Sequence, residues 1–277
     1  RGRTRAFVKI QDGCERYCSY CIIPKARGPV RSKPLAEIRA ELQSLAANGY
    51  REAVLVGINL SSYGKDLGLR LIDAVEEACR VEGIERVRLG SLEPELLTGE
   101  DIARMAAQKK FCPQFHLALQ SGCDKTLKAM NRHYDTAEFA RIAADIRRSF
   151  ENPSLTTDVM VGFAGETEED FLESLAFVKQ MAFAKVHVFA YSRREGTAAA
   201  KRPEQAPESV KEDRSRRMIE ATEEVRRAFL MSQLGRTEEV LVETTHSPLG
   251  YEGFTKNYTP VYVNCGPEAC GKVCKVR

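Results

Sequence analysis

The chain has 277 residues, 42 of them Lys or Arg and 39 Asp or Glu, giving a formal net charge of +3; 43% are hydrophobic and 29% charged. That balance can bury a core, which excludes intrinsic disorder as the main state, and no run approaches the ~18 apolar residues of a membrane span. Arg1 to Ile10 carry four basic groups with no apolar stretch behind them, so they do not read as a secretion signal. A cytoplasmic protein with reduced thiols and no membrane partner is expected.

In chain order, the stretch from Arg5 to about Ser192 alternates strand and helix. Strands are predicted at Ala6–Gln11, Ala53–Ile58, Val87–Ser91, Phe115–Leu119, Leu155–Phe163 and Val186–Tyr191. They are mostly continuous in apolarity, which suits strands of a parallel sheet buried on both faces. Leu35, Ile38, Leu42 and Leu45 share one helix face, as do Phe171, Leu175, Val178 and Met181. The second helix should start at a capping box formed by Thr167 and Asp170. Six strands with intervening helices imply right-handed crossovers and an α/β fold, an open or partial (β/α)6 barrel over residues 1–200. Residues 201–235 read as a linker and a long polar helix stopped near Gly235. From 236 to 277, short strands at Val240–Glu243, Gly250–Thr255 and Pro260–Asn264 suggest a small antiparallel β module.

The +3 hides an uneven distribution. Residues 1–33 carry nine basic and two acidic groups, +7, whereas residues 228–277 are neutral. A basic segment at one end is a weak pointer to a polyanion partner.

Nine cysteines is an odd count. Cys14, Cys18 and Cys21 form C-x3-C-x2-C just after the first strand, between Gly13 and Pro24, so three thiolates can converge on one centre. Structural zinc needs four protein ligands, and the next cysteine is Cys79, the nearest histidine His116. A four-iron cluster on three thiolates leaves one iron open for chemistry. A zinc knuckle or buried free thiols is the alternative. Cys79 and Cys112 read as ordinary thiols, and Cys123 as structural. Cys265, Cys270 and Cys274, spaced C-x4-C-x3-C, have ligand-like spacing without an assigned role.

The cysteine motif, with Tyr20 as the aromatic before Cys21, resembles that of radical S-adenosylmethionine (SAM) enzymes and, more narrowly, of the methylthiotransferases. The resemblance extends through Cys21-Ile22-Ile23-Pro24-Lys25-Ala26-Arg27-Gly28, Arg31-Ser32, Leu119-Gln120-Ser121-Gly122, Met130-Asn131-Arg132, Asp158 to Phe163, and Tyr191-Ser192 with Arg194, Gly196 and Thr197. It spans residues 3 to about 265. Gly57 to Gly64 and Ser91-Leu92-Glu93-Pro94 are most similar to the branch acting on N6-threonylcarbamoyladenosine in tRNA; the branches acting on isopentenyladenosine or on a ribosomal protein are the alternatives.

This resemblance implies one [4Fe-4S] cluster on Cys14, Cys18 and Cys21, SAM bound to the open iron, and 5′-deoxyadenosyl radical chemistry. It implies a substrate in the tRNA anticodon stem-loop and an electron donor such as flavodoxin or ferredoxin. Tyr20 would sit beside SAM's adenine, Gly162 and Gly165 would let the backbone approach it, and Glu166 matches the family's cofactor-site glutamate in position. Arg132 would face its carboxylate, with Asn59, Glu93, Gln120, Ser121 and Asp158 lining the pocket. Each position also admits a plainer duty: packing for Tyr20, ending a strand for the glycines, a helix start for Glu166, strand-end hydrogen bonding for the polar groups. Where the family has Pro, this chain has Ala164. The β module resembles a TRAM domain, an RNA-binding barrel, through Gly253-Phe254-Thr255-Lys256-Asn257-Tyr258, whose aromatics can stack bases or fill a core. Arg214, Arg216 and Arg217 would add attraction for phosphate.

Family members begin with a further domain holding a second, auxiliary cluster, and the expectation is that the chain lacks it and ends before its last TRAM strand. A non-catalytic RNA-binding module is the contrasting possibility.

Overall fold

The computed structural model describes residues 4–277, so Arg1 and Arg3 of the basic segment lie outside it. In order come β1 (Arg5–Asp12), α1 (Ile23–Arg27), β2 (Arg31–Ser32), α2 (Leu35–Ala47), β3 (Glu52–Gly57), α3 (Leu71–Arg80), β4 (Arg86–Leu89) and β5 (Ser91–Leu92). Then follow α4 (Gly99–Ala106), β6 (Gln114–Leu117), α5 (Asp124–Ala129), α6 (Thr136–Ser149), β7 (Ser154–Val161), α7 (Glu168–Gln180) and β8 (Lys185–Ala190).

Two four-stranded sheets, β2-β1-β3-β4 and β5-β6-β7-β8, make the barrel wall, parallel throughout except for β2. The strand expected at Val87–Ser91 is interrupted at Gly90. Its first half pairs with β3 and its second with β6, so one chain path serves both sheets. A side chain at Gly90 would press on Val56 Cγ1 at 3.3 Å.

Burial on both faces is not what β1 and β8 show. Val8 and Ile10 are fully buried beneath α2 residues Ile38 and Leu42, while Phe7, on the opposite face of β1, is 61% exposed. Along β8, Val186 and Val188 pack on the core and Phe189 is 40% exposed. By register, Phe7 and Val54 share one face of the first sheet, and His116, Asp158, His187 and Phe189 one face of the second, in each case opposite the residues packed on the helices. The six strands therefore enclose an open lumen whose edges stay wet. Thr167 and Asp170 form the expected capping box: Thr167 Oγ1 accepts from Asp170 N at 3.2 Å and Asp170 Oδ2 from Thr167 N at 2.9 Å.

Helix α8 (Glu208–Ser232) runs back along the barrel against β8 and α7, ending three residues before Gly235, which takes φ +79°. The module follows as β9 (Glu238–Ser247), β10 (Gly250–Thr255), β11 (Pro260–Val263) and β12 (Val273–Val276), an antiparallel sheet in the order β11-β10-β9-β12. The sequence signal missed β12, a four-residue edge strand. Among the described residues, no helix is long and apolar enough to cross a membrane.

The module sits under the amino ends of the strands. Arg86 donates to Phe254 O at 2.9 Å and Glu239 O at 2.6 Å, and Arg88 to Lys256 O at 3.0 Å. Glu52, fully buried, accepts from Arg5 Nε at 3.1 Å and Arg88 Nε at 2.9 Å. Phe254 and Tyr258 stack at 4.4 Å, with the Arg5 guanidinium 4.9 and 5.0 Å from their centroids. These aromatics, open by sequence to base stacking or to core packing, hold a barrel arginine, and Tyr258 stays 38% exposed. A desolvated guanidinium beside an aromatic ring gains about 2 kcal/mol from it.

Candidate metal centre and cofactor site

At the opposite, carboxyl ends of the strands, the chain leaves β1 through Gly13 (φ +79°), where a Cβ would lie 1.8 Å from Pro29 O. Only glycine fits there. The cysteine loop that follows is tied on every side. Cys14 N donates to Gly28 O at 3.0 Å, Ser19 N to Met130 O at 2.9 Å, Asn131 Nδ2 to Tyr17 O at 2.9 Å, and Ala199 N to Ser19 O at 2.7 Å. The segment after β8 thus helps to hold the loop through Ala199.

Each thiol receives one donor. Asn59 Nδ2 approaches Cys14 Sγ at 3.8 Å, Arg132 Nη1 approaches Cys18 Sγ at 3.1 Å, and Ile23 N approaches Cys21 Sγ at 3.4 Å. Arg132 also pairs with Glu93 and donates to Tyr134 Oη at 3.1 Å. The structure therefore gathers Cys14, Cys18, Cys21, Asn59, Glu93 and Arg132 into one connected set drawn from distant parts of the chain. Burial pushes the Cys14 and Cys21 thiols up, so ligation must displace protons from both.

Gln11 carries no signal beyond preceding the motif, and sequence reasoning missed it. Its Nε2 donates to Asp12 O and Gly13 O, both at 2.8 Å, while its Oε1 accepts from Asn59 N at 2.8 Å. It couples the loops after β1 and β3.

Tyr20 lies 6.3 Å from the Phe163 ring, edge to face, in an apolar cluster with Met130, Met160 and Tyr191. Burial raises its hydroxyl well above the ordinary value, although Arg132 opposes this. Gly162 (φ +68°) has no room for a Cβ, because Lys211 Cγ would stand 2.5 Å away. Glu166 accepts from Gly162 N and Arg214 Nη1, each at 2.9 Å. Its carboxylate braces the turn after β7 against α8, and burial pushes its pKa up against those two donors. Ser121 is fully buried with its hydroxyl accepting from Cys123 N at 3.2 Å, so it holds its own turn. Gln120, at φ +66°, keeps its Oε1 buried and unpartnered. Asp158 stands apart on the lumen wall, 3.2 Å from His116 Nε2.

These residues fit a four-iron cluster better than a single ion. Zinc–thiolate bonds of about 2.3 Å bring tetrahedral sulfurs to about 3.8 Å from one another. Among the described residues, the three-ligand set whose donor atoms all fall within 4.8 Å is His116, Asp158 and His187, not the cysteines. The sulfurs stand wider, as ligands on different irons do. Cys14, Cys18 and Cys21 would hold the cluster, which when bound supplies the electron that cleaves SAM to the 5′-deoxyadenosyl radical. Buried acceptors without donors, Asn59 Oδ1 beside Cys14 and Gln120 Oε1 after β6, are suited to donors on a SAM-like ligand.

Most of the basic segment is already paired. Arg5 binds Glu52 and Glu243, Lys9 and Arg31 face Asp12, Arg16 binds Glu95, and Lys33 binds Glu41. Arg214 and Arg217 are held by Glu166 and Glu168, and Arg216 by Asp213 and Glu220. Around α1, immediately after Cys21, Lys25, Arg27 and Arg31 are exposed, and the last two reach Asp12 only at 3.9 and 3.6 Å.

The Radical SAM superfamily model matches residues 8–178. A tRNA-2-methylthio-N(6)-dimethylallyladenosine synthase of Caldicellulosiruptor saccharolyticus is 39% identical, over 98% of this chain and 58% of that protein. The threonylcarbamoyladenosine tRNA methylthiotransferase MtaB of Chlamydia pneumoniae is 40% identical, over 89% of this chain and 60% of its own length; that of Bacillus subtilis is 36% identical, over 99% and 62%. The chain thus spans about three fifths of these curated relatives. Among solved structures, the radical SAM methyltransferase TsrM of Kitasatospora setae superposes with a TM-score of 0.60 at 17% identity, over 70% of this chain and 38% of TsrM. Coproporphyrinogen III oxidase of Escherichia coli gives 0.57 at 13%, over 90% and 66%. These two likenesses establish the fold.

Proposed function

The chain belongs to the radical SAM superfamily, and on that premise we propose that it is the catalytic core of a tRNA methylthiotransferase that modifies C2 of N6-threonylcarbamoyladenosine beside the anticodon. The observation that carries this reading is the three-thiol loop, in which every sulfur has its own donor and buried acceptors wait beside it. The relatives, all named as tRNA adenosine methylthio-modifying enzymes, supply the substrate class.

The lumen favours the threonylcarbamoyl branch. Its β6–β8 wall presents His116, Asp158, Lys185 and His187, with exposed Phe7 and Phe189 at the two edges. A substituent bearing a ureido group and a carboxylate finds partners on such a wall; a dimethylallyl group would leave those polar groups unpaired. Residues 1–200 would carry the radical chemistry and 236–277 would act as a TRAM-like module. A flavodoxin- or ferredoxin-type donor in the cytoplasm would supply electrons.

One observation favours a second reading, the isopentenyladenosine branch: a relative of that name aligns over nearly the whole chain. Mass spectrometry of tRNA nucleosides from cells with and without the full gene separates the two. Loss of the 2-methylthio form of threonylcarbamoyladenosine supports the proposal. Loss of the isopentenyl counterpart selects the second reading, and an unchanged nucleoside profile refutes both.

A further inference from the structure

Three side chains from adjacent strands meet on the lumen wall. The β6–β7 register sets His116 opposite Thr156, and the β7–β8 register sets Asp158 opposite His187, so all three project from one face. Nε2 of His116 stands 3.2 Å from Asp158 Oδ2, and one ligand atom from each of the three lies within 4.8 Å of the others. The two imidazole rings are 5.9 Å apart at 49°.

The hydrogen bonds around this group orient it. His116 Nδ1 lies 2.9 Å from Thr156 Oγ1, which also receives Gln114 Nε2 at 3.4 Å. A hydroxyl with two lone pairs can accept from both. With its proton on Nδ1, His116 turns the Nε2 lone pair toward Asp158. A lone pair facing a carboxylate at 3.2 Å repels it unless a proton or a cation lies between them. Two donors sharing an ion through bonds of about 2.1 Å stand roughly 3.0–3.4 Å apart between right-angled and tetrahedral geometry. Among the described residues, Asp158 has no other hydrogen-bond partner for its carboxylate and His187 none for its ring. Both keep lone pairs available, and His187 is exposed on the lumen face of β8.

We propose that His116, Asp158 and His187 bind a divalent transition-metal ion of the zinc or iron(II) class, at a site that shares no ligand with the three-thiol cradle. Two imidazoles and one carboxylate on one side of an ion are the donor set of open-sided zinc and non-haem iron sites. Thr156 plays the part of the outer hydrogen bond that fixes a ligating histidine. The remaining coordination positions face the lumen between Phe7 and Phe189 and suit oxygen donors. The ligands lie 42 and 29 residues apart in the chain, so no local motif reveals them.

The test is titration of the full 277-residue chain with Co2+ after anaerobic loading of the cradle with iron and sulfide. One Co2+ per chain is expected, with visible ligand-field bands and no intense near-ultraviolet thiolate band. His187→Ala and Asp158→Asn should each weaken binding by about 100-fold or more, and Thr156→Val by about 10-fold, in the range that outer-shell partners command. Unchanged iron content and far-ultraviolet circular dichroism show that each variant has folded, and His187, lying outside the hydrophobic core, can be removed without opening it. Absence of Co2+ binding, binding indifferent to His187→Ala and Asp158→Asn, or a thiolate band placing the ion on cysteines would each overturn the proposal.

Discussion

The two ends of the barrel are built from the same strands and put polar groups to opposite uses. At the amino ends, Glu52 is enclosed by Arg5, Arg86 and Arg88, and their remaining donors reach across to the module's backbone. At the carboxyl ends, Arg132 and Asn59 point donors at sulfur, while Asn59 Oδ1 and Gln120 Oε1 have no partner. A polar cluster closed on itself holds two parts together; one left open is ready for a ligand. The two cysteine trios divide in the same way. Cys14, Cys18 and Cys21 each have an N–H donor. Cys265 and Cys274 instead pack as partly buried apolar groups against the core of the β module.

That contrast breaks most visibly at the metal. Replacing Cys14, Cys18 and Cys21 by Ala should take reconstituted iron from about four per chain to none, whereas replacing Cys265, Cys270 and Cys274 should leave it unchanged. Equal losses in an iron assay would erase the distinction between the trios.

At the other end the effect should fall on stability and spare the iron. Glu52→Ala leaves Arg86 and Arg88 without a carboxylate and Arg5 with Glu243 alone, and breaking such a buried pair costs about 3–5 kcal/mol. Urea unfolding should show this loss, and an unshifted midpoint would deny the cluster its role. Acid should act through the same residue. Burial alone would raise the Glu52 carboxyl, but Arg88, Arg5 and Arg86 hold it below its ordinary value. A carboxyl depressed on folding contributes stability that is fully present above the unfolded value of ~4.3 and is lost as pH falls through the folded one. Near-ultraviolet circular dichroism of the Phe254–Tyr258 stack should therefore stay constant down to about pH 4 and collapse only below it; loss near neutrality would point to another group.

The smallest effect concerns RNA. Replacing Lys25, Arg27 and Arg31 by Ala should reduce the salt slope of tRNA binding by about 2–3, close to one unit for each phosphate no longer neutralised. Replacing Arg214, Arg216 and Arg217, whose carboxylate partners lie closer, at 2.9, 2.6 and 2.6 Å against 3.9 and 3.6 Å for Arg27 and Arg31, should change it less.

What was legible in the sequence followed from local rules. Thr167 and Asp170 marked a helix start because a capping box is complete within four residues, and the cysteine loop announced itself by spacing. Legibility failed where partners are distant. Phe254 and Tyr258 look like a base-stacking platform until Arg5, about 250 positions away, is seen between module and barrel. Gln11 looks like an ordinary strand residue until its bond to Asn59 appears. Val87–Ser91 reads as one strand because Gly90 carries no apolar signal, although the sheet changes partner there. The alternating exposure of β1 and β8 was hidden because Phe7 and Phe189 are apolar residues facing an open lumen.

The most direct test is anaerobic reconstitution of the chain with iron and sulfide, followed by a strong reductant and SAM. The account predicts about four irons per chain, lost with Cys14, Cys18 and Cys21, together with formation of 5′-deoxyadenosine. A single tightly held zinc ion on those cysteines, with SAM left intact, would contradict it.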